Sequence, residues 1–319
     1  MLHFGKISQQ QFLKDYWQKK PLLIKQALPN FISPLSPDEL AGLALENEFE
    51  SRLITGSTTS QDWSLRNGTF SEQDFANLPA KDWTLLVQGV DRYIDAVHKL
   101  IRHFDFIPRW RFDDVMISYA VKGGSVGPHF DYYDVFLLQS SGKRRWHLSS
   151  KDCTMDNYLE AVPLRIMDKF NAEQSIVVEA GDVLYIPPKV AHHGISLDDN
   201  CTTMSFGYRA YSAKELYEFI NTPCPSHLAN SYYQDPEWCN VKEPNLIPDS
   251  AVKQAQKLLD IRPEQFAQFV TKLDTNDVKI QQDYEYQFPD VPITEHPTCK
   301  TAYLRKNGKQ QVFVNGEME

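Results

Sequence analysis

Gly127-Pro128-His129-Phe130-Asp131 decides the fold of this chain. Residues two apart on a strand project from the same face, so His129 and Asp131 can bind one metal ion. Further along the chain, a glycine turn, an apolar strand and a proline turn run from Gly181 to Pro188, and His192 follows. This order is typical of the second half of a cupin barrel, in which the opposite strand supplies a histidine.

The residue types at these positions favour an iron site. Two imidazoles and one carboxylate on one face leave the other positions of an octahedral ion open, as in the facial triad of non-haem Fe(II) oxygenases. A lone H-x-D motif is more often a core histidine beside a turn aspartate. The second motif, Gly181 to Pro188 followed by His192, makes the metal-binding interpretation the preferred one. His193 competes with His192 as the third ligand by position.

A basic run follows the turn after the H-x-D strand. An oxygenase of this class needs a cation for the far carboxylate of 2-oxoglutarate, and arginine meets a carboxylate with two hydrogen bonds. Alternation along a strand places Arg144 on the same side as Trp146 and Leu148, with Lys143 and Arg145 on the other side. Arg144 is therefore the candidate anchor, and a solvated basic turn is the alternative.

The wider pattern predicts a mainly β protein with added helices. Short strands separated by Gly, Pro and Ser run from Arg111 to Arg209, which suggests a jelly roll or barrel. Asn67-Gly68 predicts a hairpin turn between residues 63–65 and 69–70. The predicted helices begin at Ser8, Ser36, Asp91, Ser212, Ala251 and Pro263, and a hairpin turns at Asn307-Gly308.

Composition narrows the class of protein. The 319 residues carry a formal charge of −9 and a pI near 5.5, which opposes nonspecific nucleic-acid binding and favours a basic protein partner. The five widely spread cysteines predict neither a disulfide framework nor a zinc knuckle. Neither a membrane span nor a signal region is evident, so the expected location is the cytoplasm.

Beyond these motifs the sequence resembles the bacterial JmjC-type ribosomal oxygenases, within them the arginine hydroxylases of ribosomal large-subunit protein sixteen. The resemblance covers most of the chain and is strongest in its core. It rests on residues 17–21, 36–44, 51–53, 83–88, 110–118, 127–136, 144–146, 181–188, 192 and 207–210.

The resemblance implies a double-stranded β-helix (jelly roll, cupin/JmjC) over residues 1–210, a helical dimerisation region over 211–275 and a winged-helix-like domain over 276–319. Fe(II), 2-oxoglutarate and dioxygen are the implied cofactor and cosubstrates, and the reaction places a hydroxyl on the β carbon of a ribosomal-protein arginine. The implied residues are, for the metal, His129, Asp131 and His192; for 2-oxoglutarate, Arg144 and Ser118; and for the substrate, Asp114, Tyr133 and Ser205, with Asp113 and Asp134 as rivals.

Two other functions compete with this one. The same triad could belong to an oxygenase that acts on a histidyl residue or on a small molecule. A nonenzymatic cupin-like assembly factor for a ribosomal protein could keep the metal for stability alone, but Arg144 would then lack an obvious role.

Overall fold

Alternating apolar residues in short strands produce two facing sheets. The structure is a computed structural model that describes residues 1–59, 62–160, 162, 164–239 and 241–319. It divides into a barrel unit, residues 2–97 with 114–207, and a helical unit, residue 1 with 98–113 and 208–319. The strands of the two barrel sheets are, in chain order, β1 (Leu22–Ile24), β2 (Ser51–Thr55), β3 (Ser64–Asn67), β4 (Trp83–Val87), β5 (Phe112–Ala120), β6 (Asp134–Ser141), β7 (Lys143–Ser149), β8 (Gln174–Glu179), β9 (Val183–Ile186), β10 (Ala191–Ser196) and β11 (Cys201–Tyr208).

The larger sheet has the order β1-β9-β6-β11-β5-β4-β2-β3, and the smaller one has the order β10-β7-β8. Apolar side chains from both sheets form the core between them. Val135 and Leu184 come from the larger sheet, whereas Trp146, Leu148 and Val178 come from the smaller one. This arrangement of antiparallel strands is consistent with the predicted jelly-roll core.

Helices lie before the barrel strands and among them. They are α1 (Gln9–Asp15), α2 (Pro37–Leu43), α3 (Glu72–Ala76) and α4 (Asp95–His98). Ser8 caps α1, because its hydroxyl accepts a hydrogen bond from the backbone N–H of Gln11 at 3.0 Å. Phe12 of this helix packs edge-on against Tyr185, with ring centroids 5.0 Å apart. The α1 helix therefore covers the outer face of β9.

The helical unit contains α5 (Ala213–Phe219), α6 (Asp249–Ala255), α7 (Pro263–Thr271) and α8 (Thr275–Gln287), followed by β12 (Thr301–Lys306), β13 (Lys309–Val314) and β14 (Glu317–Met318). A buried ion pair joins the guanidinium of Arg111 to Asp235, with Nε 2.8 Å from Oδ1. Tyr233 lies beside it, with its ring centroid 5.4 Å from the guanidinium carbon. Removing either charge alone would leave the other buried without its ionic partner.

Two turn predictions had opposite outcomes. The hairpin at Asn307-Gly308 is confirmed, since β12 pairs with β13 up to Lys306 and Lys309. The hairpin at Asn67-Gly68 is wrong. β3 ends at Asn67 but pairs with the preceding strand β2, where Asn67 lies opposite Arg52. Residues 69–70 form no strand. The dipeptide ends a strand without turning the chain back onto it.

Candidate metal centre

The first motif meets the opposite strand through a short backbone bridge. The N–H of His129 donates to the carbonyl of His192 at 3.0 Å, and the N–H of His192 donates back at 2.7 Å. Gly127 enters this segment with a φ of 81°, and an added Cβ would lie 2.8 Å from Ile166. Glycine fits both constraints, so the residue two positions before the first ligand is required by the backbone.

Three side chains converge at this bridge. The Nε2 atoms of His129 and His192 lie 4.0 and 3.7 Å from Oδ2 of Asp131. One ligand atom from each residue lies within 4.8 Å of the other two. Metal-bound nitrogen and oxygen atoms lie about 2.0 to 2.2 Å from an ion. A single ion can therefore lie between these three atoms with small side-chain adjustments.

Hydrogen bonds fix the orientation of both imidazoles. Nδ1 of His129 lies 3.0 Å from the carbonyl oxygen of Gly127, and Nδ1 of His192 lies 3.1 Å from that of Val190. A carbonyl oxygen can only accept, so each Nδ1 carries a hydrogen. Each ring then presents its Nε2 atom to the shared position, as metal-binding histidines do.

The electrostatics of the centre also suit a metal ion. Burial, together with the neighbouring His129, lowers the pKa of His192 to about 4, and Asp131 opposes the shift. The His192 imidazole is therefore neutral at physiological pH. Metal binding requires neutral histidine and ionised carboxylate, so no proton must leave His192 before an ion binds.

The strand register favours His192 over His193 as the third ligand. His192 lies opposite Leu148, whose side chain belongs to the core between the sheets. His193 lies opposite His147, and its ring meets Phe170 edge-on at 6.0 Å. Adjacent residues of a strand point to opposite faces, so His192 faces the barrel interior and His193 faces away from it.

The predicted anchor for 2-oxoglutarate lies on the same inward face. Arg144 pairs with Ser196 on β10, an even number of residues from His192, and its side chain is 3% exposed. Among the described residues, its Nε and Nη2 atoms have no hydrogen-bond partner. The guanidinium carbon lies 5.7 Å from the ring centroid of Trp146. A buried guanidinium with unused donors fits a carboxylate of a bound cosubstrate.

Ser118 lies in a polar layer of the larger sheet. Its hydroxyl donates to the carbonyl of Thr203 at 3.4 Å. The hydroxyl of Thr203 donates to Gln139 at 3.0 Å. These contacts link β5, β11 and β6 on one side of the sheet. The predicted help that Ser118 gives to Arg144 stays a prediction.

The predicted substrate residues lie on three strands or strand ends. Asp114 of β5 is 7% exposed, and Oδ2 accepts hydrogen bonds from Gln88 Nε2 at 2.6 Å and from the N–H of Gly89 at 3.0 Å. Ser205 is buried on β11, two residues from Thr203 and hence on the same face. Tyr133 precedes β6 and is 42% exposed.

The rival carboxylates have other partners. Asp134 is fully buried, and its Oδ1 accepts a hydrogen bond from the hydroxyl of Tyr185 at 2.5 Å, on the side of β9 covered by α1. Asp113 lies 3.8 Å from Arg209 in an ion pair of the helical unit. Which of these carboxylates receives a substrate cation stays a prediction.

Sequence reasoning gave no role to the residues that hold Asp114. Gln88 accepts a hydrogen bond from Nη2 of Arg52 at 2.8 Å, and its Nε2 donates another to Asp114. Asp91 lies nearby and accepts a hydrogen bond from the N–H of Val115 at 2.7 Å. Arg52 and Gln88 lie in segments that carry the family resemblance. That resemblance was the sequence signal that could have identified them.

Comparison with known proteins identifies the family of this chain. The JmjC domain family matches residues 99–216. The chain is 39% identical to ribosomal protein uL16 3-hydroxylase of Escherichia coli over 262 residues, which are 81% of this chain and 69% of that protein. It belongs to the JmjC-type ribosomal oxygenases. A probable ribosomal oxygenase of Haemophilus influenzae is 40% identical over 217 residues, 67% of this chain and 53% of that protein.

Solved structures of this family support the fold and the chemistry. The X-ray structure of E. coli YcfD covers 100% of this chain and 87% of that chain, with a TM-score of 0.71 and 32% identity. YcfD in complex with cobalt and 2-oxoglutarate covers 98% of this chain and 86% of that chain, with a TM-score of 0.67 and 32% identity.

This ribosomal oxygenase is therefore a 2-oxoglutarate-dependent dioxygenase that uses Fe(II) and dioxygen. The bound metal supplies the redox chemistry that couples dioxygen, 2-oxoglutarate and the target C–H bond. His129, Asp131 and His192 are the residues that would hold it, and the donor set fits iron. Within the described residues, no helix has the length and apolar character needed to cross a bilayer.

Proposed function

We propose that this ribosomal oxygenase hydroxylates the β carbon of an arginine in ribosomal protein uL16. The observation that carries the proposal is the buried carboxylate of Asp114, which Gln88 and Gly89 hold in place by hydrogen bonds. An arginine side chain needs such an acceptor when its guanidinium leaves water. The E. coli relative named ribosomal protein uL16 3-hydroxylase supports the choice of target.

The three substrate residues take different parts in this proposal. Asp114 receives the guanidinium, Ser205 offers a hydroxyl from the neighbouring strand β11, and the half-exposed ring of Tyr133 flanks the entering side chain. Arg144 and Ser118 are reserved for 2-oxoglutarate. In this proposal Arg144 pairs with 2-oxoglutarate, and the guanidinium of the substrate arginine pairs with Asp114.

Asp114→Asn tests the pocket with a uL16 peptide that contains the target arginine. Loss of the charge is expected to raise the KM for the peptide about 30-fold or more, because a desolvated charge pair is worth about 2 kcal/mol or more. Peptide-independent turnover of 2-oxoglutarate should persist. The measurement is peptide hydroxylation by mass spectrometry at varied peptide concentration.

Asp113→Asn is the matched control, since it removes the neighbouring carboxylate that pairs with Arg209. It should leave the KM for the peptide close to that of the wild type. An equal rise in both variants would argue against Asp114 as the guanidinium acceptor. Hydroxylation of a histidine in place of arginine would move the assignment to the histidyl-hydroxylating alternative.

The proposal includes a cytoplasmic homodimer without direct nucleic-acid binding. The charge of −9 supports the last point. The dimer rests on family resemblance. The apolar face of α5 adds no support, because Leu216 is fully buried within the single chain and Phe219 packs on Phe269 at 5.4 Å. Light scattering would check the dimer, with twice the chain mass of 36.8 kDa expected.

A further inference from the structure

Trp146 carries a further unused donor on the inward face of β7. Its side chain is 6% exposed and packs in the apolar core between the two sheets. Among the described residues, its indole N–H has no hydrogen-bond partner, and the same holds for Nε and Nη2 of Arg144. A buried donor without a partner costs free energy, so two such side chains on one face of a strand need an explanation.

The indole lies between the predicted anchor and the metal centre. Trp146 lies opposite Gly194 in the pairing of β7 with β10. Arg144 is two residues away along β7, and His192 is two residues away along β10, so these positions share the inward face. The ring centroid of Trp146 lies 5.7 Å from the guanidinium carbon and 5.7 Å from the ring centroid of His192. A molecule bound to both the metal and Arg144 would therefore run past the indole.

Gly194 leaves the space that the indole occupies. A Cβ added to this glycine would lie 2.7 to 2.9 Å from three carbon atoms of the indole, which real Cβ atoms do not approach so closely. These three carbons belong to the six-membered ring, whereas the N–H belongs to the five-membered ring. The contact with β10 thus fixes the indole without using its N–H.

2-Oxoglutarate offers acceptors for these donors. A 2-oxo acid chelates a metal ion through its keto and carboxylate oxygens, and two methylenes separate that end from the far carboxylate. The far carboxylate has about four lone-pair sites, more than the two unused donors of Arg144 can fill.

We propose that Trp146 is a positioning residue for 2-oxoglutarate, whose far carboxylate accepts a hydrogen bond from the indole N–H. The donor then completes the set that Arg144 begins and holds the cosubstrate along the wall between anchor and metal. This inference rests on the proposed role of Arg144 as the anchor. It does not depend on which residue of the target protein is hydroxylated.

The alternative is that Trp146 only fills the core. Phenylalanine keeps an aromatic ring and removes the N–H, so Trp146→Phe tests the donor. Trp238→Phe is the matched control for the lost ring volume. Trp238 is also buried, and among the described residues its indole N–H also has no partner, but it belongs to the helical unit.

The test is the affinity of the Mn(II)-loaded protein for 2-oxoglutarate, measured by calorimetry. Trp146→Phe should raise the Kd about tenfold or more, the usual size for a hydrogen bond to a charged group. It should keep its Mn(II) and its Kd for oxalate, because oxalate chelates the metal but has no far carboxylate. Trp238→Phe should bind both ligands as the wild type does. An unchanged Kd for 2-oxoglutarate in Trp146→Phe, or an equal rise for oxalate, overturns the hydrogen bond.

A second measurement uses the wild type alone. The chain has six tryptophans, and their indole N–H resonances can be followed by NMR in the Zn(II)-loaded protein. The Trp146 resonance should be broadened most when Mn(II) replaces Zn(II), since its ring lies 5.7 Å from that of the ligand His192. With Zn(II), this resonance should move downfield when 2-oxoglutarate is added and stay in place with oxalate. A resonance that 2-oxoglutarate leaves in place overturns the proposal, whereas hydroxylation of the uL16 peptide tests the proposed function separately.

Discussion

His129→Ala is expected to abolish both iron binding and 2-oxoglutarate turnover. Only three protein ligands converge on the centre within the described residues, and His129 supplies one of them through Nε2. Loss of an outer-shell partner of a metal ligand already costs about 10- to 100-fold in metal affinity or activity, so loss of a ligand should cost more. Metal analysis and succinate formation from 2-oxoglutarate measure the two effects.

His193→Asn is the matched control for this prediction. His193 neighbours the ligand His192 on β10 but faces the opposite side, towards His147 and Phe170. The variant should keep both metal content and turnover. The assignment fails if His129→Ala still turns over 2-oxoglutarate, or if His193→Asn loses its iron while His192→Asn retains it.

Arg144→Ala is expected to raise the KM for 2-oxoglutarate by about 30-fold or more while leaving the iron content intact. The magnitude follows from the roughly 2 to 5 kcal/mol lost when one partner of a buried, hydrogen-bonded charge pair is removed. Arg144→Lys should recover only part of the affinity, because an ammonium lacks the planar fork that meets a carboxylate twice. Succinate formation at varied 2-oxoglutarate gives the KM.

The neighbouring Arg145 offers a control on the same strand. Its side chain is exposed and projects from the opposite face of β7, so Arg145→Ala should leave the KM for 2-oxoglutarate unchanged. A joint fall of iron content and turnover in Arg144→Ala would instead assign the guanidinium a structural role. Without cosubstrate, Arg144→Ala should be at least as stable as the wild type, since it removes buried donors without partners.

The centre was predictable from sequence because its signals are local. The H-x-D motif, the glycine turn at Gly181 and the strand β9 each occupy a few consecutive residues. The choice of His192 over His193 does not rest on a local signal. It depends on the register between β10 and β7, which pairs His192 with Leu148, and the residue types alone leave that register open.

The features that the sequence did not predict also have physical causes. The helix α8 was not predicted, because Thr275–Gln287 is mostly polar and lacks the repeating apolar face that marks a packed helix. Predicted as one helix, the segment from Asp91 to Phe104 instead forms α4 between two 3-10 segments. Asp91 and Gln88 remained without a role, since their contacts with residues of β5 join segments far apart in sequence.

Tandem mass spectrometry of the large-subunit ribosomal proteins after incubation with the enzyme tests the central claim most directly. With Fe(II), 2-oxoglutarate and dioxygen present, one arginine of uL16 should gain one oxygen atom, and His129→Ala should produce no gain. Oxygen gained on a histidine or on another ribosomal protein, with uL16 arginines unchanged, would contradict the account.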